Sequence, residues 1–93
     1  CISTPEYEWE KQGYPYINEG PQALTNGSNL FIIYSASGSW TDDYCLGQLT
    51  WKGGNPLDPF SWEKSSKPVF VKTETIFGPG HASFVKIDND DYI

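Results

Sequence analysis

The stretch LFIIYSAS at residues 30–37 decides the fold, because hydrophobic side chains occupy both faces of a strand-like alternation. One face would carry Leu30, Ile32, Tyr34 and Ala36, and the other would carry Phe31, Ile33 and Ser35. A strand with two largely apolar faces is typical of the interior of a sheet that is covered on both sides. The segment therefore predicts a central β-strand, and the neighbouring segments are interpreted outward from it.

Further strand signals lie on both sides of this segment, whereas no part of the chain shows the hydrophobic period of an amphipathic helix. An Asn26-Gly27 turn precedes the central strand, and stretches rich in Gly, Pro and Asp separate the later runs. The predicted strands are Pro21–Thr25, Leu30–Ser37, Tyr44–Trp51 and Pro68–Lys72, with His81–Ile87 as the opening of a fifth. Pro68 suits an edge strand, because proline donates no ladder hydrogen bond.

Four short consecutive strands followed by the start of another predict an all-β, four-stranded antiparallel unit. Such a unit could be half of a β-sandwich or one blade of a β-propeller. With 93 residues the chain is at the low end for one domain. It begins with Cys1 and ends just after the acidic run Asp88–Asp91. We therefore expect residues 1–93 to be an incomplete domain that needs neighbouring strands to cover its apolar surface.

The charge balance excludes two classes of partner. The chain has a formal net charge of -6, with 12 Asp and Glu against 6 basic residues, all of which are Lys. Nucleic acid and anionic membrane surfaces both require a basic patch, so neither is an expected partner. Aromatic residues make up 16% of the chain and include 4 Trp, a density that suits either a packed core or a sugar-binding surface.

A carboxylate stands beside a turn motif at Asn18-Glu19-Gly20-Pro21, with Tyr14 and Tyr16 just upstream. A carboxylic acid beside aromatic surface holds its proton more readily, as a general acid near neutral pH must. From these residues alone, a turn glutamate that faces water is the favoured interpretation, and a general acid is the alternative.

His81 is the only histidine and follows the sharp turn Gly78-Pro79-Gly80. It could ligate a metal, donate a hydrogen bond in a binding site or be a satisfied buried side chain. One His without a Cys or a second His does not make a zinc site. The residues alone therefore favour a structural role for His81.

Two aromatic residues, Trp40 and Tyr44, lie within and just after the loop at residues 38–43. Loops at strand ends often carry the aromatic side chains that bind ligands. Packing in the core or at its rim explains the same residues equally well. Substrate binding by Trp40 and Tyr44 therefore remains one of two open interpretations.

Three further features carry a weaker functional signal. The run Asp88–Asp91 lacks the Gly of a calcium-binding loop, so a solvated turn between strands is favoured. The tripeptide Asn26-Gly27-Ser28 matches an N-glycosylation pattern and fits an exposed hairpin tip in a secreted protein. Cys1 and Cys45 are too few for a disulfide framework, and Cys45 is expected to be a small buried hydrophobic residue.

Taken together, these segments resemble glycoside hydrolase family 43, and especially its α-L-arabinofuranosidase-like members. The matching segments are Ile2-Ser3-Thr4-Pro5, Asn18-Glu19-Gly20-Pro21, Phe31–Ser37, Tyr44–Gly47, Leu57-Asp58-Pro59 through Trp62, and Gly78–Phe84. The resemblance spans nearly the whole chain. It is carried by the order and spacing of the segments rather than by any single motif.

The resemblance implies a five-bladed β-propeller and an inverting hydrolase that acts on arabinose- or xylose-containing plant polysaccharides or oligosaccharides. In that family an Asp base activates water, a second Asp tunes the acid, and a Glu protonates the leaving oxygen. Glu19 stands where the family's Glu-Gly-Pro acid stands, which implies that it is the general acid. His81 stands where the family has a histidine near the propeller axis that is often associated with a bound metal, commonly calcium. No cofactor is expected for the chemistry itself.

No residue of this chain matches the Asp base or the second Asp. Inversion needs two carboxyl groups on opposite sides of the sugar, and one blade supplies only one of them. We therefore expect the isolated chain to be inactive and the longer enzyme to be secreted. Two alternatives remain open, namely a non-catalytic carbohydrate-binding module that uses Trp40 and Tyr44, and a structural blade from another propeller.

Overall fold

The chain is built around one four-stranded antiparallel sheet, seen in a computed structural model that describes residues 1–73, 79–80, 85–87 and 90–92. The strands are β1 (Asn18–Asn26), β2 (Asn29–Ala36), β3 (Cys45–Trp51) and β4 (Trp62–Lys64), and a separate hairpin pairs β5 (Val85–Ile87) with β6 (Asp90–Tyr92). Two short 3₁₀ helices cover Glu8–Glu10 and Pro59–Ser61. Among the described residues, no helix has the length and apolar character needed to cross a membrane.

Strand β2 occupies the interior position that LFIIYSAS predicts, with β1 on one side and β3 on the other. Its final residues, from Ile33 to Ala36, are all buried. The pairing register places Ser35 opposite Glu19 in β1 and opposite Leu46 in β3. The central-strand prediction is confirmed, and the covered end of β2 is the end that faces Glu19.

The β1–β2 hairpin turns at Gly27 and Ser28, where the turn signal predicts it. Asn26 pairs with Asn29 across the turn. Gly27 has a φ of 62°, which glycine adopts more readily than residues with a side chain and which two-residue hairpin turns require. The tip is exposed to solvent, as expected for this motif.

Strand β1 is longer than predicted, because it begins at Asn18 rather than at Pro21. The pairing register shifts between Glu19 and Gln22, which marks a β-bulge. Gly20 has a φ of 57° within this bulge, and Pro21 needs no ladder hydrogen bond there. The bulge therefore carries a Gly-Pro pair that would otherwise end the strand.

The predicted fourth strand, Pro68–Lys72, is wrong, because the fourth strand of the sheet is Trp62–Lys64. Trp62 pairs with Trp51 of β3, is only 8% exposed, and donates its indole N–H to the Pro56 carbonyl at 2.8 Å. Burial of this large side chain fixes the strand earlier in the chain than the turn signals suggest.

Residues 68–72 still run beside β3, but they contribute only an isolated bridge between Leu46 and Phe70. The Leu46 N–H donates to the Phe70 carbonyl at 2.9 Å, and the Val69 N–H donates to the Leu46 carbonyl at 2.8 Å. Pro68 has no N–H to extend this pairing. The segment is therefore an edge contact rather than a strand.

The predicted fifth strand, His81–Ile87, is confirmed at Val85–Ile87, and residues 81–84 lie outside the described residues. The predicted turn at residues 88–91 is wrong in its second half, because Asp90 and Asp91 belong to β6. Ile87 pairs with Asp90, so two residues connect the strands, as in a tight antiparallel hairpin.

The two faces of the four-stranded sheet have different neighbours. The core cluster on one face consists of Tyr34, Ala36, Cys45, Leu49 and Trp62, with Ile2, Trp9, Leu30, Ile32 and Trp51 packed against it. Because side chains alternate along a strand, Glu19, Ser35 and Leu46 share the opposite face. The sheet thus separates its hydrophobic core from the face that carries Glu19.

Cys45 lies in this core and is 3% exposed, which confirms that it is a small buried residue. Burial raises the pKa of its thiol to about 11, and the nearby negative charges of Glu10 and Asp43 act in the same direction. The thiol therefore stays neutral near pH 7, and its role is packing.

A buried carboxylate, Glu10, ties the N-terminal segment to the core face of the sheet. Its side chain is 0% exposed. The donors to its two oxygens are the backbone N–H groups of Glu6 and Tyr7 at 2.8 and 2.9 Å, Asn18 Nδ2 at 3.0 Å, the Tyr34 hydroxyl at 2.8 Å and Lys64 Nζ at 3.0 and 3.1 Å. Glu10 thereby fixes the N-terminal segment, β1, β2 and β4 relative to one another.

Two opposing effects act on the pKa of Glu10. Burial raises it, but hydrogen bonds from the backbone of Tyr7 and Glu6 and from the side chains of Tyr34 and Lys64 outweigh burial and hold the pKa below its ordinary value of 4.5. A carboxyl whose pKa is lower in the folded state stabilises the fold above the unfolded-state pKa. That stabilisation is lost as the pH falls through the folded-state pKa.

Replacing Glu10→Gln in the full-length protein should lower the free energy of unfolding at pH 7 by about 3–5 kcal/mol, because Lys64 loses its buried partner. Denaturant unfolding measures this loss. The difference from wild type should shrink as the pH falls below 4.5, because the unfolded chain then takes up a proton at Glu10 and, at still lower pH, so does the folded protein. Glu63→Gln, an exposed change beside Lys64 on β4, is the control and should stay within about 0.5 kcal/mol. Equal losses in the two variants would contradict the role of Glu10.

Candidate active site

Glu19 lies within β1, directly before the bulge, and is partly buried. It is therefore not the solvent-facing turn residue that the local sequence alone favours. A bulge re-aims the side chains beside it, and such irregularities are common next to active sites. Here the bulge holds Glu19 opposite Ser35 of β2.

The Tyr44 hydroxyl donates a hydrogen bond to Oε1 of Glu19 at 2.7 Å. Tyr44 comes immediately before β3, is 6% exposed, and also shares a hydrogen bond with the Ser35 hydroxyl. Burial raises the pKa of the Tyr44 phenol, the Ser35 hydrogen bond opposes that rise, and the Glu19 carboxylate adds to it. Tyr44 therefore remains a neutral hydrogen-bond donor near pH 7.

Gly80 packs against the Tyr44 ring. A Cβ built on Gly80 would overlap ring atoms of Tyr44, so this contact requires a residue without a side chain. Gly80, the last residue of the Gly-Pro-Gly motif singled out in the sequence, thus packs on the side of Tyr44. His81 follows this segment but lies outside the described residues.

Trp40 lies in the loop between β2 and β3 and is 58% exposed. Its ring sits close to Gly38 and Gly13, where an added Cβ would come within 2.6 and 3.1 Å of indole atoms. Ser37 starts this loop with a φ of 70° and accepts a hydrogen bond from the Gln12 N–H at 3.0 Å. The loop conformation therefore presents an anchored indole ring to solvent.

Two tyrosines that the sequence does not single out as ligand-binding residues also expose their rings. Tyr14 is 84% exposed and Tyr16 is 54% exposed, and their rings meet edge to face with centroids 5.8 Å apart. Tyr14 follows Gly13, on which Trp40 packs. The contact between Gly13 and Trp40 joins residues far apart in the chain, so no local pattern shows it.

The structure brings Glu19 and Tyr44 together, and the contacts recorded for the described residues do not join Trp40 to either of them. Substrate binding by Trp40 and Tyr44 stays a prediction, although Tyr44 has little exposed surface. The metal role of His81 lies outside the described residues, and the parts of the chain that are described hold no group of three or more potential metal ligands. The sequence does not identify Ser35 or Gly80 as site residues. Strand register brings Ser35 to Tyr44, and a contact between distant parts of the chain brings Gly80 to the Tyr44 ring.

Two carboxylates accept hydrogen bonds from tyrosine hydroxyls on opposite faces of the sheet. Glu10 is fully buried and saturated by its donors, so it cannot reach a ligand. Glu19 is partly exposed, and among the described residues its recorded hydrogen bond is the one from Tyr44. A general acid must contact its substrate and regain its proton from solvent. Of the two, Glu19 has exposed surface through which its carboxyl group could meet a ligand, and Glu10 has none.

The chain matches the family model described as glycosyl hydrolases family 43 over residues 2–93, and it belongs to that family. It is 49% identical over 86 residues to an extracellular exo-alpha-(1->5)-L-arabinofuranosidase of Streptomyces chartreusis, covering 89% of this chain and 26% of that protein. It is 41% identical to alpha-L-arabinofuranosidase 43 of Humicola insolens, covering 90% of this chain and 18% of that protein. The chain thus spans about a quarter or less of these relatives.

A solved structure shows the same fold. The alpha-L-arabinofuranosidase from Lactobacillus brevis superposes with a TM-score of 0.85 at 40% identity, covering 97% of this chain and 29% of that one. A thermostable family-43 glycoside hydrolase superposes with a TM-score of 0.69 at 30% identity, covering 88% of this chain. The resemblance to glycoside hydrolase family 43 and the all-β fold with a four-stranded antiparallel unit are both confirmed.

Replacing Gly80→Ala in the full-length protein should lower the free energy of unfolding by about 1–3 kcal/mol, because the new methyl group overlaps the Tyr44 ring. Thermal unfolding measures the change. In a protein that already carries Tyr44→Leu, the same substitution should cost less than half as much, since the ring edge is gone. An equal cost in both backgrounds would show that packing on Tyr44 is not the reason for glycine at this position.

Proposed function

We propose that this chain is part of the catalytic domain of an inverting glycoside hydrolase that removes α-L-arabinofuranosyl groups from plant polysaccharides or oligosaccharides. The observation that carries the proposal is the state of Glu19. It is a partly exposed carboxylate at the family's Glu-Gly-Pro position, held by one tyrosine on the face opposite the core. In this proposal Glu19 is the general acid.

The reaction needs a proton on the oxygen that leaves the sugar. Glu19 donates that proton as the glycosidic bond breaks, so the leaving group departs as a neutral alcohol rather than as an alkoxide. A second carboxylate, about 6.5–9.5 Å away, activates the water that attacks from the opposite face. That carboxylate and the second Asp would come from other parts of a longer chain, since no residue here matches them.

The substrate class rests on the relatives. Proteins named arabinofuranosidases from bacteria and fungi share 39–49% identity with this chain, which supports arabinose over xylose as the released sugar. The name of the Streptomyces chartreusis relative also supports an extracellular location. β-D-Xylosides remain the alternative substrate, because pocket walls from other segments decide between the two sugars.

The proposed domain is a five-bladed β-propeller in which β1–β4 form one blade and β5 opens the next. The open four-stranded sheet, with its order β1-β2-β3-β4, supports this arrangement. His81 is proposed to lie near a structural calcium ion, as the family resemblance implies. The proposed acid chemistry uses the carboxyl group of Glu19 and requires no cofactor.

A second candidate function is carbohydrate binding without catalysis. The exposed rings of Trp40, Tyr14 and Tyr16 favour it, because flat aromatic surfaces stack on sugar rings. In that case Glu19 would accept a hydrogen bond from a sugar hydroxyl. The two candidates differ in whether Glu19 matters to bond cleavage or only to binding.

Glu19→Ala in the full-length protein should lower kcat on arabino-oligosaccharides by about 10²- to 10⁴-fold, because an unprotonated alkoxide is a poor leaving group. The loss should be smaller on 4-nitrophenyl α-L-arabinofuranoside and smallest on the 2,4-dinitrophenyl analogue, whose leaving group needs little protonation. Steady-state kinetics on the three substrates, and on 4-nitrophenyl β-D-xyloside, would measure this gradient and the preferred sugar.

The control is Glu63→Ala, which removes an exposed carboxylate from β4 and should leave all rates unchanged. A Glu19→Ala protein that matches wild type on every substrate would contradict the assignment of the acid. A wild-type protein that binds arabino-oligosaccharides without cleaving any of the substrates would favour the binding module instead.

A further inference from the structure

The Tyr44 hydroxyl sits between two partners that fix its direction. It donates to Oε1 of Glu19 at 2.7 Å, and it also shares a hydrogen bond with the Ser35 side chain. Ser35 is 0% exposed and lies opposite Glu19 in the strand register. Because a hydroxyl has one proton to donate and Tyr44 gives it to Glu19, the Tyr44 oxygen is left to accept from Ser35.

We propose that Tyr44 is a positioning residue that holds Oε1 of Glu19 as a hydrogen-bond acceptor and so leaves the catalytic proton on Oε2. This inference rests on the proposed role of Glu19 as general acid. In the protonated enzyme, Oε1 accepts from Tyr44 while Oε2 carries the proton that goes to the leaving oxygen. After transfer, Glu19 is a carboxylate whose Oε1 still accepts from Tyr44, and Oε2 is free to take a proton from solvent.

The surroundings of Tyr44 suit a positioning role. Tyr44 is 6% exposed and its ring packs against Gly80. Its hydroxyl also shares a hydrogen bond with Ser35. A donor fixed on two sides restricts the rotation of the Glu19 carboxyl group without any further contact. Reactions of this kind depend steeply on placement, since a misplacement of about 1 Å can cost about 10²-fold in rate.

The same burial argues against the other role considered for Tyr44, direct contact with substrate. A sugar ring stacks on an exposed aromatic face, and Tyr44 offers almost none among the described residues, whereas Trp40 is 58% exposed. The hydroxyl is also already committed to Glu19 and Ser35. Tyr44 therefore acts through Glu19 rather than on the sugar.

Tyr34 provides a matched control on the other face of the sheet. It is 4% exposed and donates its hydroxyl to a carboxylate, Glu10, at 2.8 Å, just as Tyr44 does to Glu19. Loss of either hydroxyl removes a buried hydrogen bond and should destabilise the fold. Only loss of the Tyr44 hydroxyl should change the chemistry of the folded enzyme.

The test compares Tyr44→Phe with Tyr34→Phe in the full-length protein, with rates corrected for the folded fraction. Tyr44→Phe should lower kcat on arabino-oligosaccharides by about 10- to 100-fold with little change in KM, because substrate binding does not use its hydroxyl. The loss should be smaller on the 2,4-dinitrophenyl substrate. Tyr34→Phe should keep the wild-type kcat on every substrate.

Ser35→Ala serves as a second variant if Tyr44→Phe folds poorly. It should give a loss in kcat of the same kind but only about 3- to 10-fold, since Tyr44 keeps its donor while losing its orientation.

The outcomes separate this inference from the proposed function. If Glu19→Ala shows the gradient with leaving group but Tyr44→Phe and Ser35→Ala both behave like Tyr34→Phe, Glu19 is the acid and the positioning role is wrong. If Tyr44→Phe raises KM and lowers the rate equally on all substrates, Tyr44 binds the sugar instead. If Glu19→Ala itself leaves the rates unchanged, both the acid assignment and the inference built on it fail.

Discussion

The buried Glu10 carboxylate is the interaction on which the rest of this chain depends. A charge in a protein interior is costly unless it is paired and hydrogen-bonded, and here the backbone of the N-terminal segment, β1, β2 and β4 each donate to it. Its contact with Asn18 fixes the start of β1, the residue directly before Glu19. Glu10 therefore ties the N-terminal segment to the strand that carries the proposed acid.

Two tyrosine–glutamate pairs show how one sheet gives similar groups different roles. Around Glu10, several donors and an ammonium group hold the carboxyl ionised and out of reach of solvent. Around Glu19, one donor holds one oxygen at a partly exposed position beside a bulge. The difference lies in the number of donors and in exposure, since the residue types are the same. A carboxylate whose two oxygens are both occupied by hydrogen-bond donors has a structural role. A carboxylate with a single donor keeps one oxygen available for proton transfer.

Local patterns predicted the centre of the sheet well, because alternation in LFIIYSAS and the Asn26-Gly27 turn depend only on neighbouring residues. They failed at β4, where burial of Trp62 outweighs the turn signals around it. Alternation alone also places Tyr44, the residue before β3, on the same side as Leu46, but only the register sets that side beside Glu19. Gly80 on Tyr44 and Lys64 on Glu10 join residues far apart in the chain, so no local pattern reveals them. The prediction that Glu19 is the acid comes from the family resemblance rather than from the local residues.

A crystal structure of the full-length protein with a non-hydrolysable arabino-oligosaccharide analogue bound would test most directly that the fold holds Glu19 by one oxygen and offers the other to substrate. The predicted result is Oε2 of Glu19 within about 3.2 Å of the bridging atom of the scissile bond, while Oε1 keeps its hydrogen bond to Tyr44. A sugar bound away from Glu19, or a Tyr44 hydroxyl bonded to the sugar instead of to Glu19, would contradict it.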